Sequence, residues 1–295
     1  MIIRSAPGDP VQTIYGMAPG RDYDPRDIER IRTSLGLNDP IYVQYLRWLF
    51  DFLRGNLGYS FKLHQSVASM ILWRLTNTFK LQLSALAISL GGAITIGVIS
   101  AVKQYSKTDK VSMVSVLFLW SMPGFWYALM MMLLFAVELR WFPTHGITTF
   151  GQPYSIQNEI WHFVLPVFVL GTSMIGYSSR LVRSAMLDVL KQDYILTARS
   201  KGLAEKVVIY RHAMRNAMLP VVTMIGLYFS MVFSGAAVIE TVFAIPGIGS
   251  LMVESSLFRD YSVIMGITMV VTVTTILSLL ITDIVYSFLD PRIRF

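Results

Sequence analysis

Five stretches of the sequence, each at least 20 residues long, contain no Asp, Glu, Lys or Arg; they are 83–102, 111–137, 160–179, 217–239 and 261–282. A helix rises about 1.5 Å per residue, so about 20 residues cross the roughly 30 Å hydrocarbon core of a bilayer. Only helices and closed barrels satisfy every backbone hydrogen bond in lipid, and barrel strands would alternate apolar with polar residues. The continuous runs therefore predict five membrane-spanning helices and an all-α polytopic membrane protein.

Composition and motifs argue against a soluble enzyme. Only 15% of the 295 residues are charged and 54% are hydrophobic, whereas a soluble domain has about 25% charged residues. The chain has no cysteine, which excludes disulfides, cysteine-ligated metals and thiol chemistry. Its four histidines lack metal-ligand spacing, and there is no P-loop and no G-x-S-x-G elbow. We therefore expect no catalytic residue and no metal site, and we expect His162 to be a packed side chain.

Basic residues are divided unequally between the connecting segments. Segments 103–110 and 180–216 and the tail after residue 282 carry 13 Lys and Arg, whereas segments 138–159 and 240–260 carry 2. Basic residues in short loops mark the cytoplasmic side of a membrane. We therefore expect the C-terminus and the first two of these segments to lie in the cytoplasm. The same rule explains the basic 180–216 segment without a nucleic-acid partner.

Five crossings with an internal C-terminus place residues 1–76 outside the cell. This head carries nine basic residues and has no recognisable secretory signal, so something else must start its export. We expect a sixth spanning helix upstream of Met1, of which Ile2 and Ile3 would be the last remnant. Mass spectrometry of the natural protein that found an authentic N-terminus at Met1 would contradict this expectation.

Two short helices are predicted within the head. Asp24 and Pro25 have the residue types of an N-cap and a first helical position, and Gly36 would end that helix. Residues 38–40 predict the start of a second helix that runs to about Leu53. An apolar and aromatic face on this second helix suits the membrane interface, packing on the transmembrane bundle, or packing in a small external subdomain. That face carries Tyr42, Tyr45, Trp48, Leu49 and Phe52.

Prolines interrupt three of the apolar runs. Pro123, followed by Gly124, lies in the second run, Pro166 in the third and Pro220 in the fourth. Proline removes a helical hydrogen bond, and a membrane protein tolerates the break where protein or a water-filled cavity satisfies the freed carbonyl. Pro123, Gly124 and Pro166 are therefore candidates for lining a transport path, with simple packing kinks as the alternative.

Two further expectations come from glycines inside the first apolar run and from acidic residues at the ends of later runs. Gly91, Gly92 and Gly97 in the first run permit close helix approach. Glu240 and Asp283 lie at the ends of apolar runs, where solvated positions at the membrane interface are expected rather than ion sites.

The 180–216 segment is 37 residues long, which is too long for a connector between packed helices. Its apolar residues recur at helical spacing up to Gly202, and a second helical pattern runs from Ala204 through Met218. Gly202 is therefore predicted as the residue that ends the first helix with a positive φ. Such a helix–glycine–helix suits docking by another protein, and the alternative is a helix pair lying on the lipid surface.

Motifs along nearly the whole chain carry a family resemblance. DYILTARSKGL at 193–203, followed by RHAMRNAMLP at 211–220, resembles the cytoplasmic loop of ABC importer permeases. The order of the other motifs is similar to that of the dipeptide, oligopeptide and nickel transport family, in the first of its two permease types. Those motifs are APGDP at 6–10, LGL at 35–37, QYLRW at 44–48, GNLGYS at 55–60, WFP at 141–143, ETVF at 240–243, PGIG at 246–249, RDY at 259–261 and DPRIR at 290–294.

The resemblance implies an ABC importer permease bundle with six spanning helices, of which five are present here. It implies a domain of residues 77–290 that includes a cytoplasmic ATPase-coupling loop at 180–216, and a cytoplasmic tail at 291–295. It also implies a second homologous permease subunit as heterodimer partner, an external substrate-binding protein, and two ATPase subunits that bind ATP and magnesium, so this chain itself would hold no cofactor. The implied function is ATP-driven import of peptides or a related small solute, such as a nickel chelate, across the bacterial inner membrane by alternating access.

Specific residues follow from the resemblance. The segments 142–146 and 240–250 would meet the loaded binding protein. The ATPase-docking residues implied by the resemblance are Thr197, Ala198, Lys201, Gly202 and Leu203. TAR at 197–199 stands where many permeases have Glu-Ala-Ala, which is a departure from the general pattern.

An ATP-independent secondary carrier or channel is the alternative function. Such proteins place ionisable groups at the bilayer midplane, however, and the five apolar runs have none.

Overall fold

The computed structural model describes residues 24–34, 38–60 and 62–289. A short antiparallel hairpin, β1 (Tyr59–Ser60) and β2 (Gln65–Ser66), precedes the third helix. The described helices, in chain order, are α1 (Pro25–Ser34), α2 (Ile41–Leu53), α3 (Val67–Val102), α4 (Lys107–Ser121), α5 (Gly124–Glu138), α6 (Ile156–Leu190), α7 (Asp193–Ser200), α8 (Glu205–Ala217), α9 (Leu219–Val232), α10 (Ala237–Val242), α11 (Ile248–Leu257) and α12 (Tyr261–Leu289).

The predicted all-α polytopic fold is confirmed. Within the described residues, α3, α6 and α12 are each long and apolar enough to cross a membrane, and two bent helix pairs bring the candidate spans to as many as five. At 1.5 Å per residue, the 36 residues of α3 extend about 54 Å, well beyond the roughly 30 Å hydrocarbon core. Both α3 and α6 therefore project past the apolar runs that predicted them. The predicted boundary at 76/77 falls inside α3.

Two helix pairs bend at the predicted prolines. The axes of α4 and α5 differ by 100° across the break before Gly124, and those of α8 and α9 differ by 52° next to Pro220. Proline lacks the N–H that would continue the hydrogen-bond ladder, which explains both breaks. Pro166, in contrast, lies inside the continuous helix α6. Each bent pair also contains a π-helical turn, Leu133–Glu138 in α5 and Val208–Ala213 in α8.

Close packing of α3 against α6 forms the centre of the bundle. A Cβ added at Gly97 would lie 2.6 Å from Val182 Cβ, and one added at Gly92 would lie 2.5 Å from Ile175 Cδ1. Real Cβ atoms do not approach so closely. At Gly92 the flexible end of Ile175 could move aside, whereas at Gly97 the backbone oxygen of Ser179 also lies 2.8 Å away, so glycine at position 97 sets the separation of the helices. The expected close approach is confirmed at Gly92 and Gly97, whereas a Cβ at Gly91 would meet nothing within 4 Å.

Buried apolar side chains collect at both ends of α6. The cluster at its C-terminal end joins α3, α6, α7, α8 and α9, and the cluster at its N-terminal end joins α3, α5, α6 and α10. A third cluster packs α11 and α12 against the first turns of α3. The α6 residues of the first two clusters, Phe163 to Val169 and Val182 to Met186, are centred about 27 Å apart along the helix, so α6 connects two separately packed regions.

The head helices agree with the sequence where they are described. The Arg26 N–H donates to Asp24 Oδ1 at 2.9 Å, as expected of an N-cap. Helix α2 follows Pro40 and ends at Leu53, close to the predicted bounds. Gly36, the motif at 6–10, the upstream helix expected before Met1, and the tail at 291–295 lie outside the described residues.

Candidate functional site

The segment predicted to dock an ATPase is anchored by its apolar residues. Ile195 and Ala198 on α7 are buried in the cluster at the C-terminal end of α6, together with Val182 and Met186 of α6 and Val98 of α3. The apolar stripe seen in the sequence therefore packs within this chain. Ala198, one of the five candidate docking residues, lies against the bundle and holds α7 in place.

The other four candidates lie on the exposed side. Thr197, Lys201, Gly202 and Leu203 are all exposed. The Lys201 N–H donates to Thr197 O at 3.1 Å and the Gly202 N–H to Arg199 O at 2.9 Å, so the last turn of α7 tightens into Gly202. Gly202 has the positive φ that the sequence predicts, +75°. A Cβ there would meet nothing within 4 Å, so within this chain only the backbone conformation requires glycine.

Two polar links join α7 to α8 around this turn. The Arg199 guanidinium donates to both Glu205 oxygens, at 2.7 and 3.3 Å, and this contact raises the pKa of Arg199 above its ordinary value. The Asn216 side chain donates to the Tyr194 hydroxyl at 2.8 Å. The two helices therefore form one unit with Gly202 at its exposed tip.

A bidentate ion pair that sequence reasoning missed lies near this unit. Arg183 on α6 donates through Nε and Nη2 to the two oxygens of Asp109 on α4, both at 2.8 Å. The Asp109 carboxylate is buried and also accepts from the Tyr105 N–H at 2.9 Å. This pair fixes the start of α4 to α6. The partners are 74 residues apart, so no local pattern could have indicated the contact.

At the N-terminal end of α6, residues 235–250 wrap around a buried carboxylate, and we refer to them as the 235–250 loop. Glu240 is fully buried. Its Oε1 accepts from Thr78 Oγ1 at 2.9 Å and from the Ala236 N–H at 3.2 Å, and its Oε2 accepts from the Ser250 N–H at 2.8 Å. The expectation of a solvated interface position for Glu240 is wrong, because loop N–H groups and a hydroxyl replace water around the carboxylate.

Glycines make room for this carboxylate. A Cβ at Gly247 would lie 2.3 Å from Glu240 Cδ, and a Cβ at Gly249 would lie 3.0 Å from Glu240 Oε2. Thr78 also accepts from the Ile248 N–H at 2.8 Å, so it ties the loop to α3. The spacing of the ETVF and PGIG motifs reflects this arrangement, because the acid of the first is enclosed by the glycines of the second.

The two segments expected to face a binding protein touch each other. The Gly146 N–H donates to Phe243 O at 2.9 Å. His162 is buried and its ring contacts Gly146 O at 3.1 Å and Thr149 Oγ1 at 3.2 Å, so it is a packed histidine as expected. Beside the 235–250 loop lies a crevice of about 330 Å³ whose walls include Arg74, Pro246 and Glu254.

The three candidate pathway residues occupy different surroundings. Pro123 and Gly124 are exposed at the 100° bend, whereas Pro166 is buried within α6. The neighbouring Tyr127 hydroxyl lies 2.9 Å from Thr172 Oγ1, which fixes the start of α5 to α6. Among the residues that the structure describes, no group of three or more His, Cys, Asp or Glu could hold a metal ion.

Comparison with known proteins decides the family. The family described as "Binding-protein-dependent transport system inner membrane component" matches residues 93–295, and its N-terminal companion family matches residues 1–82. The chain belongs to this family. The resemblance to ABC importer permeases is thereby confirmed, and so are the expectations of a multi-pass inner-membrane protein and a transport subunit.

Individual members of the family are similar over the full chain. The chain is 40% identical over 301 residues to the "Oligopeptide transport system permease protein AppB" of Bacillus subtilis (strain 168), covering 100% of this chain and 92% of that protein. It is 38% identical over 313 residues to the "Dipeptide transport system permease protein DppB" of Alkalihalophilus pseudofirmus, with the same coverage.

A solved structure supports the fold. The "Crystal structure of an amino acid ABC transporter with histidines" contains a chain that superposes with a TM-score of 0.52 at 16% identity. The match covers 76% of this chain and 94% of that one. At this identity the likeness concerns the arrangement of helices alone, and it agrees with an ABC importer permease bundle.

Proposed function

We propose that this family member is the permease subunit of an ATP-driven importer that moves peptides or a related small solute, such as a nickel chelate, across the bacterial inner membrane. The names of its relatives, which are oligopeptide and dipeptide permeases, support the substrate class. The distribution of 13 basic residues against 2 between the two sets of segments supports an internal C-terminus, an internal 180–216 segment and an external head at residues 1–76.

The observation that carries the coupling role is the exposed Gly202 turn on a packed base. Ile195 and Ala198 attach α7 to the cluster that contains Val98 of α3 and Val182 of α6. A force applied to the turn therefore reaches two of the long helices through close-packed side chains, which resist compression. Thr197, Lys201, Gly202 and Leu203 face outward, as a surface for an ATPase subunit requires.

The mechanism needs two states of the bundle that ATP distinguishes. ATP binding shifts their equilibrium only if the ATPase pair that closes on ATP favours one state over the other. In our proposal, α7 and α8 move with the ATPase, and the 52° bend beside Pro220 takes up the change in direction toward α9. Pro123 and Gly124, at the 100° bend, remain candidates for the pathway, and Pro166 is a third candidate despite its burial.

The partners follow from the same proposal. ATP and magnesium would bind to two separate ATPase subunits, and a second homologous permease would complete the pathway. An external binding protein would deliver the solute to the surface formed by segments 142–146 and 240–250, which touch through Gly146 and Phe243. An ATP-independent carrier is less well supported, because the Lys80–Glu159 ion pair lies just outside the apolar runs rather than within them.

Gly202→Asp tests the coupling role, and Gly151→Asp is its matched control. Both glycines are exposed, have φ values of +75° and +78°, and would place a Cβ in open space. Either substitution therefore introduces a similar backbone strain of about 1 kcal/mol. The experiment compares complete importers in proteoliposomes, each with its binding protein, for uptake of labelled di- and oligopeptides and for recovery of the ATPase subunits.

We expect Gly202→Asp to abolish uptake, with loss of ATPase recovery or with ATP hydrolysis that no longer drives transport, whereas Gly151→Asp retains both. Wild-type uptake by Gly202→Asp would contradict the docking role, and equal losses in the two variants would assign the effect to backbone strain. Transport by the purified chain without ATPase subunits would favour the secondary carrier instead.

A further inference from the structure

Helix α2 in the head exposes a large apolar surface. None of its side chains is buried, and six of its large apolar residues are between 43% and 70% exposed. A helix of a soluble domain buries such a surface against a core. The six residues are Ile41, Tyr42, Tyr45, Leu46, Phe50 and Leu53.

The apolar surface covers most of the circumference of α2. At 100° per residue, the polar side chains Gln44, Arg47 and Asp51 fall within one narrow arc, and the rest of the helix is apolar or aromatic. Arg47 reinforces the polar edge through an ion pair with Asp39 at 3.0 Å. Such a distribution is typical of a helix that lies in the plane of a membrane interface.

The chain that follows α2 places it at a membrane boundary. Ser60 donates to Asp260 Oδ2 at 2.6 Å, and a Cβ at Gly58 would lie 3.9 Å from Ser262 Cβ. Both contacts are at the start of α12, a candidate membrane span. Leu53 and Gly58 are five Cα–Cα steps apart along the chain, and such a segment extends at most about 18 Å. The end of α2 therefore lies within that distance of the boundary.

The bundle exposes apolar and aromatic residues at the same end. Trp73 and Leu72 in the first turns of α3 are 57% and 67% exposed, and Leu257 and Phe258 just before α12 are 76% and 50% exposed. Aromatic side chains concentrate where a membrane protein crosses the headgroup region. The end of the bundle to which α2 is joined therefore carries the residue types of a membrane interface.

We propose that α2 lies flat in the bilayer interface at the leaflet where α3 begins, with Tyr42, Leu46 and Phe50 toward the acyl chains. Gln44, Arg47 and Asp51 then face water, and Arg47 and Arg54 lie at the level of the lipid phosphates. Lipid is the occupant that fits, because the face is wide and aromatic and the end of α2 lies within about 18 Å of the start of a candidate membrane span. The inference depends on membrane insertion of the bundle and not on the solute that it transports.

A chain without cysteine allows a direct test by site-directed spin labelling. Leu46→Cys and Asp51→Cys, on opposite sides of α2, are labelled in the complete importer, whose partner subunits have had their cysteines replaced, in nanodiscs of phosphatidylcholine and phosphatidylglycerol. We expect the label at 46 to collide with oxygen and not with a water-soluble nickel chelate, and the label at 51 to show the reverse. Tyr42→Cys and Arg47→Cys form a second pair should the first impair assembly.

Two outcomes would overturn the proposal. Equal accessibility of both labels to the nickel chelate would place α2 in water. Exclusion of both oxygen and the chelate from position 46 would show that protein covers the apolar face, either the second permease subunit or another part of this chain. Neither outcome depends on ATPase coupling, so the test is separate from that of the Gly202 turn.

Discussion

At the C-terminal end of α6 the 193–203 segment rests on apolar side chains, whereas at the N-terminal end the 235–250 loop encloses a carboxylate. Ile195 and Ala198 hold the first region by burial, and its exposed tip is an unobstructed glycine turn. Glu240 holds the second through two backbone N–H groups and the Thr78 hydroxyl. One helix therefore joins a region fixed by packing to a region fixed by directional hydrogen bonds.

The difference shows how each region can respond to force. Apolar contacts are non-directional, so the base of α7 can shift slightly while it stays buried. A buried network of satisfied hydrogen bonds has no such freedom, because each partner that leaves exposes an unsatisfied polar group in a low-dielectric environment. We expect the 235–250 loop to keep one shape and the 193–203 segment to transmit movement. Substitutions at both ends of α6 and between α3 and α6 test this contrast through the free energy of unfolding.

Glu240→Gln should be the most damaging single change. The amide keeps the shape, but its NH2 group replaces one carboxylate oxygen and therefore faces the N–H donor of either Ala236 or Ser250, and the neutral side chain loses the charge-assisted hydrogen bonds. A loss of about 3–5 kcal/mol in the free energy of unfolding is expected from the lost bonds and the unsatisfied donors together. Denaturant titration of the purified chain in detergent measures it, with Glu138→Gln, at an exposed acid, as control. Equal stability of the two variants would mean that the carboxylate does not hold the loop.

Asp109→Asn should have the second-largest effect on the free energy of unfolding, and it tests a hydrogen-bonded contact near the end of α6 that is held mainly by packing. It removes the bidentate contact with Arg183, which is a buried directional contact near the packed end of α6. Because the Arg183 side chain is 23% exposed, water partly compensates, and the expected loss is about 2 kcal/mol rather than the roughly 3–5 kcal/mol of a fully buried pair.

Asp188→Asn, at an exposed position on α6, the helix that carries Arg183, is the control for Asp109→Asn. The same titration compares the two, and the free energy of unfolding should fall only for Asp109→Asn. A double-mutant cycle with Arg183→Gln that gives no coupling energy would rule out a contribution of the pair to stability.

Gly97→Ala tests the contact between α3 and α6 on which both regions depend. The new Cβ would lie 2.6 Å from Val182 Cβ and 2.8 Å from the Ser179 carbonyl oxygen, so the helices must separate. We expect a loss of about 1–3 kcal/mol in the free energy of unfolding from overpacking. Gly91→Ala, on the same helix with nothing within 4 Å, should gain up to about 1 kcal/mol from helix propensity. A gain in both variants would indicate that α3 and α6 are not tightly packed at Gly97.

Local patterns predicted the long helices, two bends and the Gly202 turn, but not the β1–β2 hairpin or helices α10 and α11. Charge-free runs predicted the long helices because the lipid environment leaves little choice of structure for 20 apolar residues. Pro123 and Pro220 predicted the positions of the bends, and Gly202 predicted the positive φ, because the chemistry of each residue acts on its own backbone. Pro166 shows the limit of this reasoning, since α6 continues through it.

Contacts between distant residues were beyond local patterns. Glu240 was expected in water because it ends an apolar run, and its partner Thr78 lies 162 residues earlier in the chain. Ala198 was placed among docking residues by the motif around it, but its burial depends on Val98 and Val182 on other helices. In each case the environment of the side chain is set by tertiary packing, which the position of a residue within its own segment does not specify.

Arg199→Gln should have the smallest effect on the free energy of unfolding. It tests whether the polar link or the apolar base holds the 193–203 segment. The pair with Glu205 is 40% exposed on the arginine side, so its removal should change the free energy of unfolding by only about 0.2–1 kcal/mol. Salt should reduce that difference further, because the Debye length falls to about 3 Å at 1 M. Ala198→Leu, which overfills the base of α7, should in contrast cost about 1–3 kcal/mol regardless of salt. If Arg199→Gln proved the more destabilising of the two, the polar link and not the apolar base would hold the 193–203 segment, and the contrast between the two ends of α6 would fail.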